Sequence, residues 1–420
     1  MTPLFVNRLS RYLERLLNWP GNPWFPGSFG HCAMARLHAL AARHALVARY
    51  GRRVWLVKCV LTLSWPVRLT YQAARWWRRC GATAQTQSGV SRGRQLAELI
   101  WLGLGFGLPP RAYYQLRLFQ TRRRYPLADY LYEHEVANLF PYLNGYTRDG
   151  AVDDKHLFAE RCQAGGLPTV PLLAWAKDGQ LFGVEEQWPA GDLISKPTIG
   201  CQGRGVERWC ATATGFTLDG QPADRADVLS ALRGRHHGEA WLLQPALQTH
   251  PELADLSAGG LVTVRLMTAR LPDGQCLAFA ALLKLPVGRQ VINNHGIGSA
   301  IDLTTGILGP AFPYRPLHPG FTRHPTTGGA ICGRRLPDWR TIEQLAVTAH
   351  ALFTDFVTLG WDIALTPTGP VLLETNAGWD VTLPQMALRR PLGDTRFREV
   401  AERLVKDATH SPRARCPSAL

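Results

Sequence analysis

Apolar and polar residues along the chain change their spacing near residue 150. Before it, apolar positions recur at helical intervals. The longest apolar run, Val54–Leu69, is broken by Lys58, Pro66 and Arg68, and falls short of the ~20 apolar residues that a bilayer span needs. Gly81–Gly93, rich in Gly, Thr, Gln and Ser, predicts a linker. Helices are predicted over Arg94–Leu104 and from about Arg111 to Arg123, either side of a Gly105–Pro110 break. Another is predicted over Asp129–Leu143, with Tyr130, Leu131, Val136, Leu139 and Phe140 inward.

From Asp153 onward, short strand-like runs alternate with helical ones. Asp153–Cys162 predicts a helix with an acidic start, stopped at Gly165-Gly166. Leu193–Pro197 predicts a strand, Thr198–Gly205 a Gly-rich loop and Val206–Cys210 the returning strand. Ala223–Leu232 predicts a helix and Ala240–Leu247 a buried strand. Leu261–Arg270 and Gln275–Leu285 predict a long hairpin, and Ala300–Leu303 with Ile307-Leu308 flank a Thr-Thr-Gly turn. Thr341–Leu359 predicts an amphipathic helix with Ile342, Leu345, Ala349, Leu352, Phe353 and Phe356 inward. It leads into Gly360–Asn376, two apolar strands joined by Thr-Pro-Thr-Gly. Alternation there places Glu374 and Asn376 on one face, Leu373 and Thr375 on the other. For Asp362 to share the Glu374 face, the connection needs an odd number of residues. A three- or five-residue loop with Gly369 at positive φ supplies it.

Charge divides the chain in the same region. Residues 1–125 carry 20 Arg and Lys against only Glu14 and Glu98, a net +18, whereas residues 126–420 carry a net −3. The apolar run is flanked by Arg52, Arg53, Arg75, Arg78 and Arg79, with Trp55, Trp65, Trp76 and Trp77. Such an element suits an anionic membrane surface; a helical hairpin packed on the main body fits it as well. Nucleic acid is the weaker reading of the charge, because no nucleic-acid motif accompanies it. The nine scattered cysteines have no Cys-x-x-Cys pair and suit a reducing compartment. The start lacks the basic-then-apolar order of a secretory signal. The expected location is therefore cytoplasmic, or peripheral at the inner face of the membrane.

Two stretches carry chemistry. Asp362, Glu374 and Asn376 on one face make a hard-oxygen site suited to Mg²⁺ beside a phosphate, though the stretch alone also fits an ordinary hairpin with a solvated polar face. In Thr198–Gly205, three glycines (Gly200, Gly203, Gly205) let backbone N–H groups approach phosphate oxygens, with Lys196 just before them as a cationic contact. It is neither a Walker A loop nor a Gly-x-Gly-x-x-Gly fingerprint, and a flexible hairpin tip also accounts for it.

Taken in order, Asp154-Lys155, Lys196-Pro197, the Gly-rich hairpin, Trp241–Pro245 and Asp362…Glu374-x-Asn376 resemble the ATP-grasp superfamily. Leu243-Gln244-Pro245…His250-Pro251-Glu252-Leu253, Thr263-Val264-Arg265, Asn294-x-Gly296-x-Gly298 and Gly360-Trp361-Asp362 are most similar to its sugar-transfer-associated family. The likeness runs from about residue 94 to about 388. It implies an α+β ATP-grasp fold in which two subdomains clasp ATP. The expected parts are a basic, Trp-rich helical extension (1–90), a helical lead-in (91–150), the catalytic domain (151–390, lid about 192–240) and a C-terminal helix and tail (391–420).

The resemblance also implies roles. Lys155 and Lys196 would hold the ATP phosphates under the Gly200, Gly203 and Gly205 loop. Gln244 to Leu247 would line adenine and ribose, and Asp362, Glu374 and Asn376 would bind Mg²⁺. Arg265, with Lys284 similarly placed, would meet a developing acyl phosphate; Arg265 also fits a structural ion pair. Two departures stand out. No acidic residue occupies the hinge strand, which leaves Glu252 as a ribose contact. Glu-x-Asn is followed by Ala377-Gly378-Trp379-Asp380 rather than Pro-Gly. The implied reaction joins a small-molecule or sugar-linked carboxylate to an amine or similar nucleophile through an acyl phosphate. Phosphotransfer to a hydroxyl and a non-catalytic, membrane-associated nucleotide-binding protein are the alternatives.

Overall fold

Thirteen strands among the described residues form two sheets, and every strand pair is antiparallel. The computed structural model describes residues 32–410, apart from 121–122, 124–126, 146–148, 201–203, 235–238, 258 and 289–295. The first sheet has seven strands in the order β2-β1-β7-β3-β4-β5-β6: β1 (Ala174–Lys177), β2 (Gln180–Phe182), β3 (Leu193–Pro197), β4 (Glu207–Ala211), β5 (Phe216–Leu218), β6 (Gln221–Ala223) and β7 (Trp241–Pro245). The second has six in the order β11-β10-β9-β8-β12-β13: β8 (Thr263–Arg270), β9 (Cys276–Leu285), β10 (Ile297–Ile301), β11 (Leu308–Pro313), β12 (Thr358–Thr366) and β13 (Gly369–Asn376).

Pleating sorts the second sheet. Val264, Leu266, Ala281, Leu283, Trp361 and Ile363 face a core shared with Ile342, Leu345 and Ala349 of helix Trp339–His350. The residues between them point the other way, into a cavity. The helix is shorter than its periodicity suggests. It ends at His350, whose Nε2 lies 3.0 Å from the Phe356 carbonyl and whose Nδ1 lies 2.6 Å from Thr268 Oγ1. The imidazole holds the following turn, which still buries Phe353 and Phe356.

The helical lead-in corrects three expectations. The stretch Gly81–Gly93 is not a linker, because helix Val54–Ser88 runs through most of it, with Thr86 and Ser88 hydroxyls bonding back to the carbonyls of Ala82 and Ala84. The helix expected from Arg111 is only Pro110–Gln115, and the one expected from Asp129 begins at Val136 after two short 3₁₀ turns. Nor is the basic region merely appended. Met34, Leu37 and Ala41 of helix Ala33–Tyr50 are buried in one core with Leu139, Phe140, Phe397 and Leu404. Ala73, Cys80 and Ala84 of the long helix pack with Leu99, Leu102 and Tyr113, and the Trp65 indole donates to the Gly103 carbonyl at 2.7 Å.

The opposite face of that helix, however, stays in solvent. Leu56, Leu63, Val67 and Tyr71 are 65%, 80%, 75% and 69% exposed, and their spacing makes one stripe. No helix among the described residues is long and apolar enough to cross a membrane.

Candidate active site

The β12–β13 hairpin brings Asp362 opposite Glu374, as its residue types suggest, but by a different route. The turn between Thr366 and Gly369 has two residues, Pro367 and Thr368, not three or five. The odd residue is a β-bulge: Ile363 pairs with Leu372 while Asp362 pairs with Glu374, which leaves Leu373 as the extra residue. The bulge turns Leu373 onto the cavity wall beside Glu374, rather than onto the Thr375 side, and Leu372 takes the core position. Gly369 has φ +115°, as the turn demands.

A cavity of about 1270 Å³ lies between the sheets. Lys155, Lys196, Gly200, Gln244, Leu247, Arg265, Lys284, Asp362, Glu374 and Asn376 all line it. Gly205 does not. Its φ of +72° and its closeness to Pro197, where a Cβ would come within 3.0 Å of Cγ, make it the hinge of the hairpin rather than a wall. Gly203 and Asn294 lie outside the described residues. Glu252 is off the wall, and its carbonyl accepts from Arg334. The hinge side is built from Ile194, Gln244 and backbone around Ala246 and Leu247, with the Gln244 amide donating to the Val170 carbonyl at 3.3 Å.

Lys155 is held by its local sequence. Asp154 caps the helix Lys155–Ala164 by accepting from His156 and Leu157 N–H. Its second oxygen accepts from the Thr198 hydroxyl at 2.8 Å, and Lys155 N–H donates to the Thr198 carbonyl. The Lys155 ammonium donates to the Gly200 carbonyl at 2.8 Å and lies 3.6 Å from Glu374. One residue pair thus ties the helix, the lid loop and the carboxylate hairpin together. Lys196 projects beside it. Burial, then the Lys155 charge, lowers the Lys196 pKa to about 8, against a smaller upward pull from Glu374.

Arg265 and Asp362 meet across β8 and β12 as a bidentate pair, both contacts at 2.5 Å. Burial opposes ionisation of Asp362. The charges of Arg265 and Lys284, and hydrogen bonding to Arg265 and Glu374, still pull its pKa down to about 2. Arg265 is held charged in turn: the Asp362 carboxylate overcomes the effect of its burial.

Asp380 and Tyr314, at the far end of the cavity, were not singled out by sequence as site residues. The Tyr314 hydroxyl donates to Asp380 at 3.2 Å, and Thr382 and Leu383 N–H also donate to that carboxylate. Burial raises the Asp380 pKa above the ordinary range. No local spacing marks these two, because β11 and the loop after β13 meet only in the fold. Arg204 also lines the cavity, from within the Gly-rich loop.

The residue set fits Mg²⁺ and a polyphosphate. Glu374 and the Asn376 amide oxygen stand beside Asp362 on β12 and β13, an oxygen donor set of the kind Mg²⁺ prefers, with both Asp362 oxygens accepting from Arg265 in this structure. The buried Asn376 amide nitrogen has no hydrogen-bond partner among the described residues, as befits a side chain placed for a ligand. Lys155 and Lys196 line the same cavity from outside this sheet, and Lys284 stands on its cavity face, on β9.

A sugar-transfer associated ATP-grasp family model matches residues 135–398. No curated protein sequence matches the chain. Solved structures similar to it include N5-carboxyaminoimidazole ribonucleotide synthetase from Thermotoga maritima, at 11% identity over 58% of this chain and 50% of that one, TM-score 0.29. L-amino acid ligase from Bacillus licheniformis is similar at 13% identity over 57% and 48%, TM-score 0.33. Biotin carboxylase from Campylobacter jejuni is similar at 10% identity over 61% and 46%, TM-score 0.34. The chain spans about half the length of each. The family match, over more than half of the chain, carries the assignment: this chain belongs to the sugar-transfer associated ATP-grasp family.

Proposed function

We propose that the chain is a Mg-ATP-dependent ligase that activates a carboxylate as an acyl phosphate for attack by an amine or similar nucleophile, in surface-polysaccharide or other sugar-linked metabolism. ATP-grasp families typically comprise ADP-forming ligases that act on small molecules. One observation carries the reading: Lys155, Lys196, Arg265 and Lys284 share a single cavity with Asp362, Glu374 and Asn376. ATP carries about four negative charges, and charge neutralisation with in-line placement supplies most of the catalysis in phosphoryl transfer.

In this reading Lys155 and Lys196 hold the β- and γ-phosphates under the lid. Glu374 and Asn376, with Asp362 where it is released from Arg265, would hold Mg²⁺, which would supply further neutralisation of the phosphates. Gln244 to Leu247 hold the base and ribose. A substrate carboxylate oxygen bonds to the γ-phosphorus as the bond to the β–γ bridging oxygen breaks and ADP leaves. Arg265 and Lys284 steady the acyl phosphate. The nucleophile then bonds to the acyl carbon, the carbon–oxygen bond to phosphate breaks, and Pi leaves. Asp380 carries no ion pair among the described cavity residues and would take the proton that the nucleophile sheds.

Hydroxylamine tests the reaction class. Incubation with Mg-ATP, hydroxylamine and a panel of amino acids, uronic acids and other sugar acids is expected to give a hydroxamate and ADP in equal amounts. ADP formed with a phosphorylated alcohol and no hydroxamate would assign phosphotransfer instead. Tight ATP binding with no turnover would assign a nucleotide-gated scaffold.

The exposed stripe of the long helix supports a second part of the proposal, that this face lies on an anionic membrane surface. Arg52, Arg53, Arg75 and Arg78 are exposed along the same helix and its start, which suits anionic headgroups around an apolar stripe. Deleting residues 1–90 would not test this cleanly, because Met34, Leu37, Ala41 and Ala73 belong to the cores. Leu63→Glu with Val67→Glu touches only exposed positions. It is expected to lower sedimentation with phosphatidylglycerol vesicles by at least about tenfold while leaving ATP binding unchanged. Equal sedimentation would remove the membrane reading.

A further inference from the structure

A second cavity, of about 970 Å³, lies where the helical lead-in meets the chain after β13. Arg94, Arg123, Arg389 and Arg390 line it, with the acids Asp129 and Asp394; Arg94 pairs with Glu98 at 2.8 Å and Arg389 donates to the Pro319 carbonyl at 3.2 Å, which leaves the wall richer in cations than in anions. Asp129 is already engaged by Arg398 at 2.7 Å. Tyr130 also lines this cavity; its residue is 1% exposed, and its buried hydroxyl has no hydrogen-bond partner among the described residues.

We infer that this cavity is a second binding site, for a phosphate or pyrophosphate group of a ligand other than the ATP in the first cavity. The donors come from three separate parts of the chain. Arg94 is in the first turn of helix Arg92–Phe106, Arg123 follows helix Pro110–Gln115, and Arg389 and Arg390 follow helix Thr382–Leu388. Arginines brought to one wall from several parts of the chain suit an oxyanion with several charged oxygens, and arginine forks match phosphate oxygens. The cations are also crowded. Arg117, just behind, has its pKa lowered first by burial and then by the charges of Arg123 and Arg389. A bound dianion would relieve that repulsion and give the Tyr130 hydroxyl an acceptor.

The position links the two cavities. Helix Thr382–Leu388 has Leu383 and Pro384 on the wall of the first, while Arg389 and Arg390, just past its end, stand on the second. Seven helical residues span about 10 Å. A ligand whose phosphate rests on Arg389 and Arg390 is therefore held about one short helix from the far end of the active site. The phosphate could belong to a soluble phosphorylated compound or to a lipid headgroup.

The test uses the full chain carrying Lys196→Met, which is expected to weaken polyphosphate binding in the first cavity about a hundredfold. Calorimetry with inorganic pyrophosphate at constant ionic strength, and sedimentation with phosphatidylcholine vesicles with and without phosphatidic acid, are compared before and after adding Arg390→Glu or Tyr130→Phe. Arg390 is exposed and Tyr130→Phe keeps the ring, so both variants are expected to melt like their parent. Arg390→Glu is expected to weaken binding by at least about tenfold, and Tyr130→Phe by a smaller factor. Loss confined to pyrophosphate assigns a soluble ligand, and loss confined to phosphatidic acid vesicles assigns a lipid. No binding of either, or binding untouched by Arg390→Glu, would overturn the inference. Because Arg390 and Tyr130 line the second cavity and not the first, that result is independent of the ligase reading.

Discussion

Lys196→Met is expected to weaken ATP binding about a hundredfold while raising thermal stability at neutral pH. A buried, charge-assisted contact contributes about 1.5–3 kcal/mol, and a hundredfold is about 2.7 kcal/mol. The opposite signs follow from one cause. Lys196 is half-buried beside Lys155 and its pKa is lowered to about 8 from an ordinary 10.5. Between those two values the unfolded chain holds a proton that the folded chain has released, so stability rises with pH across that window. Below about pH 8 the folded state carries the cost of the charge, and methionine removes that cost. Phosphate oxygens would restore the proton, so ATP binding to the unsubstituted chain is expected to take up protons and to weaken as pH rises from about 7 to about 9. Calorimetry in buffers of different ionisation enthalpy checks both statements. A variant that binds ATP as tightly as its parent, with the same pH profile, would show that Lys196 does not meet phosphate.

Arg265→Leu is expected to be the most destabilising single change in the cavity, at about 3–5 kcal/mol, because it strands the buried Asp362 carboxylate. Both guanidinium contacts to Asp362 are 2.5 Å, and the two side chains are only 16% and 10% exposed. Adding Asp362→Leu is expected to recover most of the loss, since an apolar pair of similar volume packs there without a charge to desolvate. The pH dependence has a definite sign. Asp362 is depressed to about 2 in the fold, so its pairing stabilises the chain above about pH 4 and is lost as pH falls toward 2. In Arg265→Leu, burial instead raises the Asp362 pKa, and the penalty shrinks on acidification. Urea unfolding of the single and double variants at about pH 7 and about pH 4 measures these effects. A double variant no more stable than the single would mean that the cost lies in lost packing around Arg265, not in an unpaired charge.

Much of the lining of the large cavity is legible in the sequence because its parts are local. Asp154 next to Lys155 is a helix cap followed by the lysine it positions. Lys196 is one strand residue before a Gly-rich tip. Glu374-x-Asn376 obeys the two-residue period of a strand. Other features were misjudged where local composition and tertiary context disagreed. Gly81–Gly93 has the residues of a linker, yet hydroxyl back-bonds and packing under Arg92 and Gln95 keep it helical to Ser88. The helix before the hairpin carries apolar residues at helical spacing to Phe356, yet His350 finds partners on β8 and in the turn, and the helix stops there.

By itself the sequence determined which residue types stand at which intervals, and so the order of helix cap, lid, hinge and carboxylate hairpin, for these depend on chain-local periodicity and capping. Only the tertiary structure decided how the hairpin keeps Asp362 opposite Glu374, through a bulge at Leu373 in place of a longer loop, because register is set by which side chains reach the core. It alone paired Arg265 with Asp362, brought Asp380 to Tyr314 and set Arg94, Arg389, Arg390 and Tyr130 on the wall of one cavity. Those residues are far apart in the chain, and the forces that join them, burial and charge acting across packed elements, have no period along it.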